Sequence, residues 1–388
     1  MLAPYSPLWA TEYYLSASDC VSDGLSHQTV PSHQELVKLL SSPAESVRQR
    51  ASEALRDMAA GEKPAGQKGG RVVNTAKGGG AQHTGGLINL LKDGLKDGNV
   101  EAQEYALWSL SSITDAVSRE AMVATGGIPA LIASLVGMAG DVALLSDVAQ
   151  EHAARVLSGI TPIGDNARAV KEVGGIGPLV LLLTVGNADA KEHAAHSLAQ
   201  LARRAGAANE IAEAGGVSAF VGWLADPTLG PPEIAARALS EIALENPDTQ
   251  TQIAEEGAIE LLVGMMSSWS VKYGATSTTT ITTNRDGQMT SRITMSAAPS
   301  APENKSATLA LRLAIDAAWA LATLVKDHPV NQITVAEENG IPPLLDLLMD
   351  ARTSAQESAT KAVWHLGQLE ENQSSIPRAG ARAQSALP

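Results

Sequence analysis

The sequence has very little cysteine, because Cys20 is the one thiol among its 388 residues. A single cysteine excludes a disulfide framework within the chain and is typical of proteins in a reducing compartment. Aromatic residues are also scarce, at 3% of the chain with one Phe. Since small aliphatic side chains must then fill the interior, we expect closely packed helices with a core of Ala and Leu.

The chain also lacks long hydrophobic runs and an excess of basic residues. Its apolar stretches are shorter than the roughly 20 residues that span a bilayer, and no basic leader precedes an apolar core at its start. We therefore expect no membrane insertion and a cytoplasmic location, or a nuclear one. The net charge of -14 argues against nucleic acid as a ligand, because phosphate binding needs a basic face.

Motifs that would indicate catalysis, a metal or a cofactor are absent or incomplete. A Gly-rich stretch places Gln67 where a phosphate loop needs Lys, and neither Ser nor Thr follows Lys68. His193 and His196 have a spacing that can share a metal, but the HExxH pattern does not occur. The sequence also has no GxSxG motif and no paired Cys. We expect a protein that is not an enzyme, with no cofactor and no metal.

A glycine turn recurs along the chain, and an apolar run follows each copy. Glycine just past a helix end tolerates the left-handed conformation that closes the last carbonyls. Ile176 and Val217, which follow two successive turns, are 41 residues apart. Self-similarity at such a period predicts stacked helical repeats rather than one globular core. The copies are Gly85-Gly86-Leu87, Gly126-Gly127-Ile128, Gly174-Gly175-Ile176, Gly215-Gly216-Val217, Gly257-Ala258-Ile259 and Gly340-Ile341-Pro342.

A longer, Ala-rich amphipathic segment follows most of the apolar runs, as in EYALWSLSSI at Glu104 and EIAARALSEI at Glu233. Each repeat therefore predicts a short, a medium and a long helix. This order of glycine turn, Leu-rich second helix and Ala/Trp/Leu third helix resembles the armadillo repeat, which has three helices over roughly 40 residues. The resemblance implies an all-α fold, a right-handed alpha-alpha superhelix.

The resemblance covers most of the chain, with seven pairs of second and third helices. Residues 268–305 interrupt it as an insertion between the second and third helices of the sixth unit. Thr-rich alternation around a turn-forming tetrapeptide predicts a projecting β-hairpin there, with a disordered Thr/Ser loop as the alternative. The predicted segments are an N-terminal tail (1–33), a degenerate first repeat (34–60), a Gly-rich loop (61–84), armadillo repeats (85–373) and a truncated repeat or tail (374–388).

In armadillo proteins the third helices line a concave groove, and the resemblance implies that an extended partner segment binds there. Aligning the third helices within this chain gives a groove position and a second position four residues later. Glu53 and Asp57 hold these places in the degenerate first repeat. The predicted groove residues of the later repeats are Trp108, Ser112, Arg155, His196, Gln200, Arg237, Glu241, Trp319, Thr323, Trp364 and Gln368.

An acidic ladder stands four residues before the groove position. Two interpretations stay open. Glu151 with Arg155, and Glu233 with Arg237, have the favourable i,i+4 spacing, so the ladder stabilises helices; alternatively, it selects the ligand. Its members are Glu104, Glu151, Glu192 and Glu233.

Importin-alpha is a poor match within this resemblance. Its groove is a Trp/Asn array that holds nuclear localisation peptides, whereas Ser112, Thr323 and Gln368 stand here where Asn should follow each Trp. The main interpretation is a non-catalytic scaffold or adaptor that binds a protein segment in its groove. The alternative is a structural subunit of a cytoskeletal or ciliary assembly, and nuclear import is a minor one. The sequence leaves the partner's identity and the oligomeric state open.

Overall fold

The fold is known here from a computed structural model of the chain, which forms two compact units, Met1–Ile160 and Thr161–Pro388. The predicted tail at 1–33, nearly all of the degenerate first repeat and the segment at 374–388 lie outside the described residues. So do Glu53 and Asp57. The described residues are 39, 80–136, 146–273, 277–283, 289–295, 305–348, 350 and 352–373.

The described part of the first unit, Met1–Ile160, contains one complete repeat and the second and third helices of the repeat before it. Neighbouring helices pack in the expected order, and Tyr105, Leu107 and Leu157 are buried in their core. The described helices of this unit are α1 (Gly80–Asp97), α2 (Val100–Ser111), α3 (Ala116–Ala124), α4 (Gly127–Val136) and α5 (Asp147–Ile160).

Helix α1 differs from the sequence prediction at its start. The turn predicted at Gly85 and Gly86 does not form, because α1 begins at Gly80 and continues through both glycines. Two glycines cost a helix about 1 kcal/mol each relative to Ala. Burial of Leu87 and Leu91 offsets that cost, since tertiary packing outweighs intrinsic propensity. The helix therefore extends into the predicted Gly-rich loop.

The described part of the second unit, Thr161–Pro388, contains four repeats of three helices and the start of another. Its third helices α8, α11, α14 and α17 pack on one another in sequence order. The described helices are α6 (Asn166–Glu172), α7 (Ile176–Val185), α8 (Ala188–Ala205), α9 (Ala208–Glu213), α10 (Gly216–Ala225), α11 (Pro232–Ala243), α12 (Pro247–Glu255), α13 (Ala258–Tyr273), α14 (Lys305–Leu324), α15 (Pro329–Glu337), α16 (Ile341–Leu348), α17 (Thr353–Leu366) and α18 (Glu370–Gln373).

One turn geometry joins the first and second helices of these repeats. Its first residue is left-handed, with φ of +82° at Gly174, +87° at Gly215 and +84° at Gly257. In the α15–α17 repeat, Asn339 takes this place with φ of +57°, so Gly340 occupies the second position of the turn. Asn tolerates the left-handed region better than most other residues with a Cβ. The turn therefore recurs with a different residue at its left-handed position.

The predicted insertion begins later than residue 268. Helix α13 continues to Tyr273, and Trp269 is buried in the core of the unit at 2% exposure. Two strands, β1 (Ser277–Thr283) and β2 (Met289–Met295), lie between α13 and α14 and pair antiparallel. Residues 284–288, which join the strands, lie outside the described residues.

Helix α14 is the one described helix long and apolar enough to cross a membrane, by length and composition alone, over Ala307–Leu324. Packing explains that composition, because 56% of this stretch is buried and α14 contacts α11, α13 and α17. Arg312 and Asp316 interrupt this stretch, so its uninterrupted apolar runs are shorter than a membrane span.

Buried amides join the first helices of successive repeats. The Asn331 side chain on α15 donates through Nδ2 to the Gln250 carbonyl on α12, at 3.2 Å. Asn372 on α18 donates in the same way to the Gln332 carbonyl on α15, at 3.1 Å. Asn331 and Asn372 are 1% and 3% exposed. Because the second bond repeats the first, α18 starts a further repeat in the same register.

Candidate functional site

The candidate site is the third-helix face of the second unit, defined here as the exposed side of α8, α11, α14 and α17. Exposed fractions support the sequence alignment, because the side chains of His196 and Arg237 are 43% and 44% exposed and Trp364 is 41% exposed. Trp319 is half-buried. The residue immediately before each of these four is buried in the core. Those residues are Ala195, Ala236, Ala318 and Val363.

Contacts between consecutive third helices connect this face. Arg237 on α11 forms an ion pair with Asp316 on α14, with 3.2 Å between Nη2 and Oδ2. The Lys361 ammonium on α17 lies over the Trp319 ring on α14, with 4.1 Å from Nζ to the ring centroid. Both contacts follow one rule: a groove residue meets the residue three places before the groove position on the next third helix.

The Arg237–Asp316 pair changes the electrostatics expected of the groove. Burial raises the pKa of the Asp316 carboxyl above its ordinary value, and the Arg237 guanidinium opposes that rise. Arg312 acts in the same direction as Arg237. Because Asp316 balances its charge, Arg237 is not the free cation that the sequence suggests.

The two tryptophans of this face are in different environments. The Lys361 ammonium covers one side of the Trp319 ring. Trp364 contacts His365 edge-on, with 4.7 Å between ring centroids, and keeps 41% of its surface exposed. Trp364 is therefore the more accessible aromatic surface of the two.

The residues at the second groove position, four residues later, differ in exposure and in hydrogen bonding. Thr323 is buried, and its hydroxyl donates to the Ala320 carbonyl of its own helix at 2.7 Å, so it does not face a ligand. Gln200 accepts hydrogen bonds from Arg203 and Arg204 at 3.3 and 3.1 Å. Gln368 is exposed.

Glu241, which holds this second position on α11, faces the preceding third helix. Its Oε2 lies 3.9 Å from Arg203 Nε on α8. The distance is near the limit of an ion pair and the Arg203 side chain is 45% exposed, so this contact contributes little to stability.

The acidic ladder combines two kinds of contact. Glu192 lies 3.7 Å from His196 at i,i+4 spacing, a contact that is an ion pair only when His196 is protonated. The predicted pair of Glu233 with Arg237 does not form, because Arg237 reaches Asp316 on the next helix instead. Glu233 lies in the first turn of α11, where a carboxylate is favourable to the helix dipole. Both positions are compatible with helix stabilisation, one of the two interpretations of the ladder.

The first unit has its own predicted groove residues on α2 and α5. Arg155 forms the predicted pair with Glu151, at 2.7 Å. Trp108 lies on α2 with its ring centroid 6.3 Å from that of Tyr105. Ser112 ends α2, and its hydroxyl donates to the Ser109 carbonyl at 2.7 Å, so it acts as a cap.

Two further contacts concern α2 of the first unit. Glu104, the ladder residue of this helix, is partly exposed. Ser111 Oγ and His152 Nδ1 are 3.1 Å apart and join α2 to α5. His152 is thereby a structural contact of this unit.

Within the described ranges, no group of three or more His, Cys, Asp or Glu side chains is arranged to hold a metal ion. His193 and His196, the pair with suitable spacing, both lie on α8. The site residues that sequence reasoning missed are Asp316 and Lys361. Comparing the third helices three places before the groove position could have identified both.

Comparisons with known proteins agree with this architecture. Residues 328–367, which hold α15 to α17, match the family model of the Armadillo/beta-catenin-like repeat. A computationally designed armadillo repeat protein for modular peptide recognition is similar in structure, with a TM-score of 0.53 and 18% identity over 72% of this chain and 99% of that chain. The fold is an armadillo-repeat solenoid.

The crystal structure of another engineered protein is also similar to this armadillo-repeat solenoid. Its TM-score is 0.52 and its identity 21%, over 91% of each chain. Among curated proteins, no sequence matches the chain significantly, so none supports a match to importin-alpha. Armadillo-repeat solenoids are typical of protein-binding scaffolds, because stacked repeats present an extended surface.

Proposed function

We propose that this armadillo-repeat protein is a non-catalytic scaffold or adaptor that binds an extended segment of a partner protein on the third-helix face of the second unit. One observation carries the proposal. Four consecutively packed third helices expose the same helix position, at His196, Arg237, Trp319 and Trp364, directly beside buried core residues. A row of equivalent positions on stacked repeats suits an extended ligand, which meets one repeat after another.

Other proteins of this fold support the proposal by analogy. The designed armadillo repeat protein that is similar in structure is described as made for modular peptide recognition. The proposal includes a cytoplasmic or nuclear location, no nucleic acid partner and no membrane insertion. A nuclear import role is a minor alternative, because Trp319 and Trp364 lack the Asn residues of the importin-alpha array.

The character of the face changes along its length. Its α14–α17 end carries both tryptophans, whereas α8 and α11 carry charged groups that are paired within the protein, such as Arg237 with Asp316. We expect a bound segment to place apolar anchors at the α14–α17 end and polar or mixed-charge residues at the other.

Site-specific photo-crosslinking in the native cell tests this function. A photoreactive amino acid replaces Gln200 or Gln368 on the third-helix face, and Leu181, an exposed residue of second helix α7, serves as the control. We expect adducts with the same partner from the two face positions and fewer from Leu181. Adducts from Leu181 alone would contradict the proposal and favour a structural subunit that packs through other surfaces.

A further inference from the structure

We propose that the segment bound on this face carries a carboxylate next to an apolar or aromatic side chain, and that Lys361 and Trp364 bind these two groups. This inference rests on the proposed function and names the chemistry of the ligand. It concerns the α14–α17 end of the third-helix face.

The Lys361 ammonium is held in a defined position. Its Nζ lies 4.1 Å from the centroid of the Trp319 ring. Attraction between a cation and an aromatic face fixes the direction of a side chain that is otherwise flexible. Glu357, an exposed residue one turn before Lys361, has the i,i+4 spacing for an ion pair but does not form one. The ammonium therefore contacts the preceding third helix, α14, rather than a residue of its own helix.

The charge of Lys361 lacks an anionic partner among the described residues, unlike the charges of Arg237 and Lys326. Arg237 is paired with Asp316 at 3.2 Å, and Lys326 with Glu245 at 3.3 Å. No carboxylate of the described ranges forms an ion pair with Lys361. An ammonium over a ring still has donors directed away from it, since Lys carries three. A carboxylate of the bound segment can accept a charge-assisted hydrogen bond there.

Trp364 provides the apolar part of the same site. It lies three residues after Lys361 on α17, so both side chains occupy one side of the helix. With 41% of its surface exposed, its indole can still lose a large apolar area from water on binding. An aromatic or apolar side chain next to the carboxylate fits this pair.

A basic segment fits the same place poorly. Its cations would need the Trp319 ring, which Lys361 already occupies, or Trp364, which lies three residues after Lys361 on the same helix. Like charges at such a spacing repel. The observations therefore favour the acidic and apolar segment over a lysine-rich one.

Selection from a random 12-residue peptide library, displayed on phage, tests the inference on the full chain. We expect the selected peptides to combine Asp or Glu with a neighbouring aromatic or large aliphatic residue. A fluorescein-labelled selected peptide should bind Lys361→Gln and Trp364→Ala about tenfold more weakly each. Lys361→Arg keeps the charge and should retain most of the affinity.

Two controls separate binding from folding and from general charge. Lys96→Gln removes the same charge from an exposed site on α1, outside this face, and should leave the affinity unchanged. Circular dichroism and thermal unfolding verify that each variant is folded. Lys361→Glu should reverse the preference toward basic peptides.

The outcomes distinguish this inference from the proposed function. Selected peptides rich in Lys and Arg, or affinities that neither Lys361→Gln nor Trp364→Ala changes, would overturn the inference. If such peptides still compete with the partner for binding near Gln200 or Arg237, the third-helix face remains a binding site. Failure to select any peptide for this face would overturn both.

Discussion

Arg237 on α11 is paired with Asp316 on α14, the next third helix, and not with Glu233 on its own helix. The carboxyl of Asp316 is mostly buried, whereas the Arg237 side chain is 44% exposed. The pair therefore joins two repeats and balances a carboxylate that burial would otherwise destabilise. Its consequences for stability can be measured.

Arg237→Ala should lower the free energy of unfolding at pH 7 by about 1–2 kcal/mol, because it leaves a buried carboxylate without its partner. In the folded state the pKa of Asp316 is above its ordinary value. The free energy of unfolding therefore falls as the pH rises from the ordinary pKa to the folded-state pKa. Below the ordinary pKa, Asp316 is protonated in both states and the loss should shrink. Urea unfolding at pH 7 and near pH 3.5 measures the difference.

Asp316→Asn in the Arg237→Ala background provides the control, since it removes the buried charge. We expect it to recover most of the loss at pH 7. Equal losses at both pH values would show that Arg237 stabilises the protein by packing rather than by charge.

Gly230→Ala should destabilise the second unit by about 1–3 kcal/mol, the usual cost of overpacking. A Cβ at Gly230 would overlap the ring of Trp223, and Trp223 is buried in the core. Gly264→Ala is the matched control, because its Cβ would meet nothing within 4 Å on helix α13. That change should stabilise by about 0.5–1 kcal/mol, since Ala is the better helix former. Thermal unfolding measures the stability of both variants. If Gly230→Ala were the more stable of the two, the turn geometry at Gly230 would be wrong.

Asn331→Ala should lower the free energy of unfolding by about 2–3 kcal/mol. The buried amide donates to the Leu324 carbonyl at 2.9 Å and to the Gln250 carbonyl at 3.2 Å, and both acceptors would lose a partner. Gln356→Ala, at an exposed position with a 3.4 Å contact to the Leu348 carbonyl, should change stability by less than about 0.5 kcal/mol. Chemical denaturation that shows no difference between the two would contradict a structural role for the amide.

Repeat order could be predicted from the sequence because each repeat carries its own local signals. Glycine turns and the alternation of Leu-rich and Ala-rich helices predicted which side chains share the third-helix face, including Arg237 and Trp364. Comparing the third helices could have identified Asp316 and Lys361 as candidates, but their contacts could not be predicted, because these depend on how one third helix packs against the next. Local signals also failed at Gly85 and Gly86, where the burial of apolar residues keeps two glycines in a helix.

The insertion between α13 and α14 should be removable without loss of the fold. Its strands β1 and β2 pair with each other, with Ser277 opposite Met295. Shortening a connecting segment changes its closure entropy by only about 0.6 kcal/mol per doubling of length. Replacing residues 275–303 with a short Gly/Ser linker should therefore leave the thermal midpoint nearly unchanged. We expect the same deletion to remove at least one partner, measured by crosslinking mass spectrometry in the native cell.

A longer deletion gives the contrast, because the end of α13 belongs to the core. Removing residues from 268 onward also deletes buried Trp269 and Ser270, whose hydroxyl donates to the Asp346 carboxylate on α16. Loss of a buried Trp should cost about 3–5 kcal/mol and lower the thermal midpoint clearly. If both deletions melted alike, the boundary at Tyr273 would be wrong. If the shorter deletion kept every partner, the inserted strands would have no binding role.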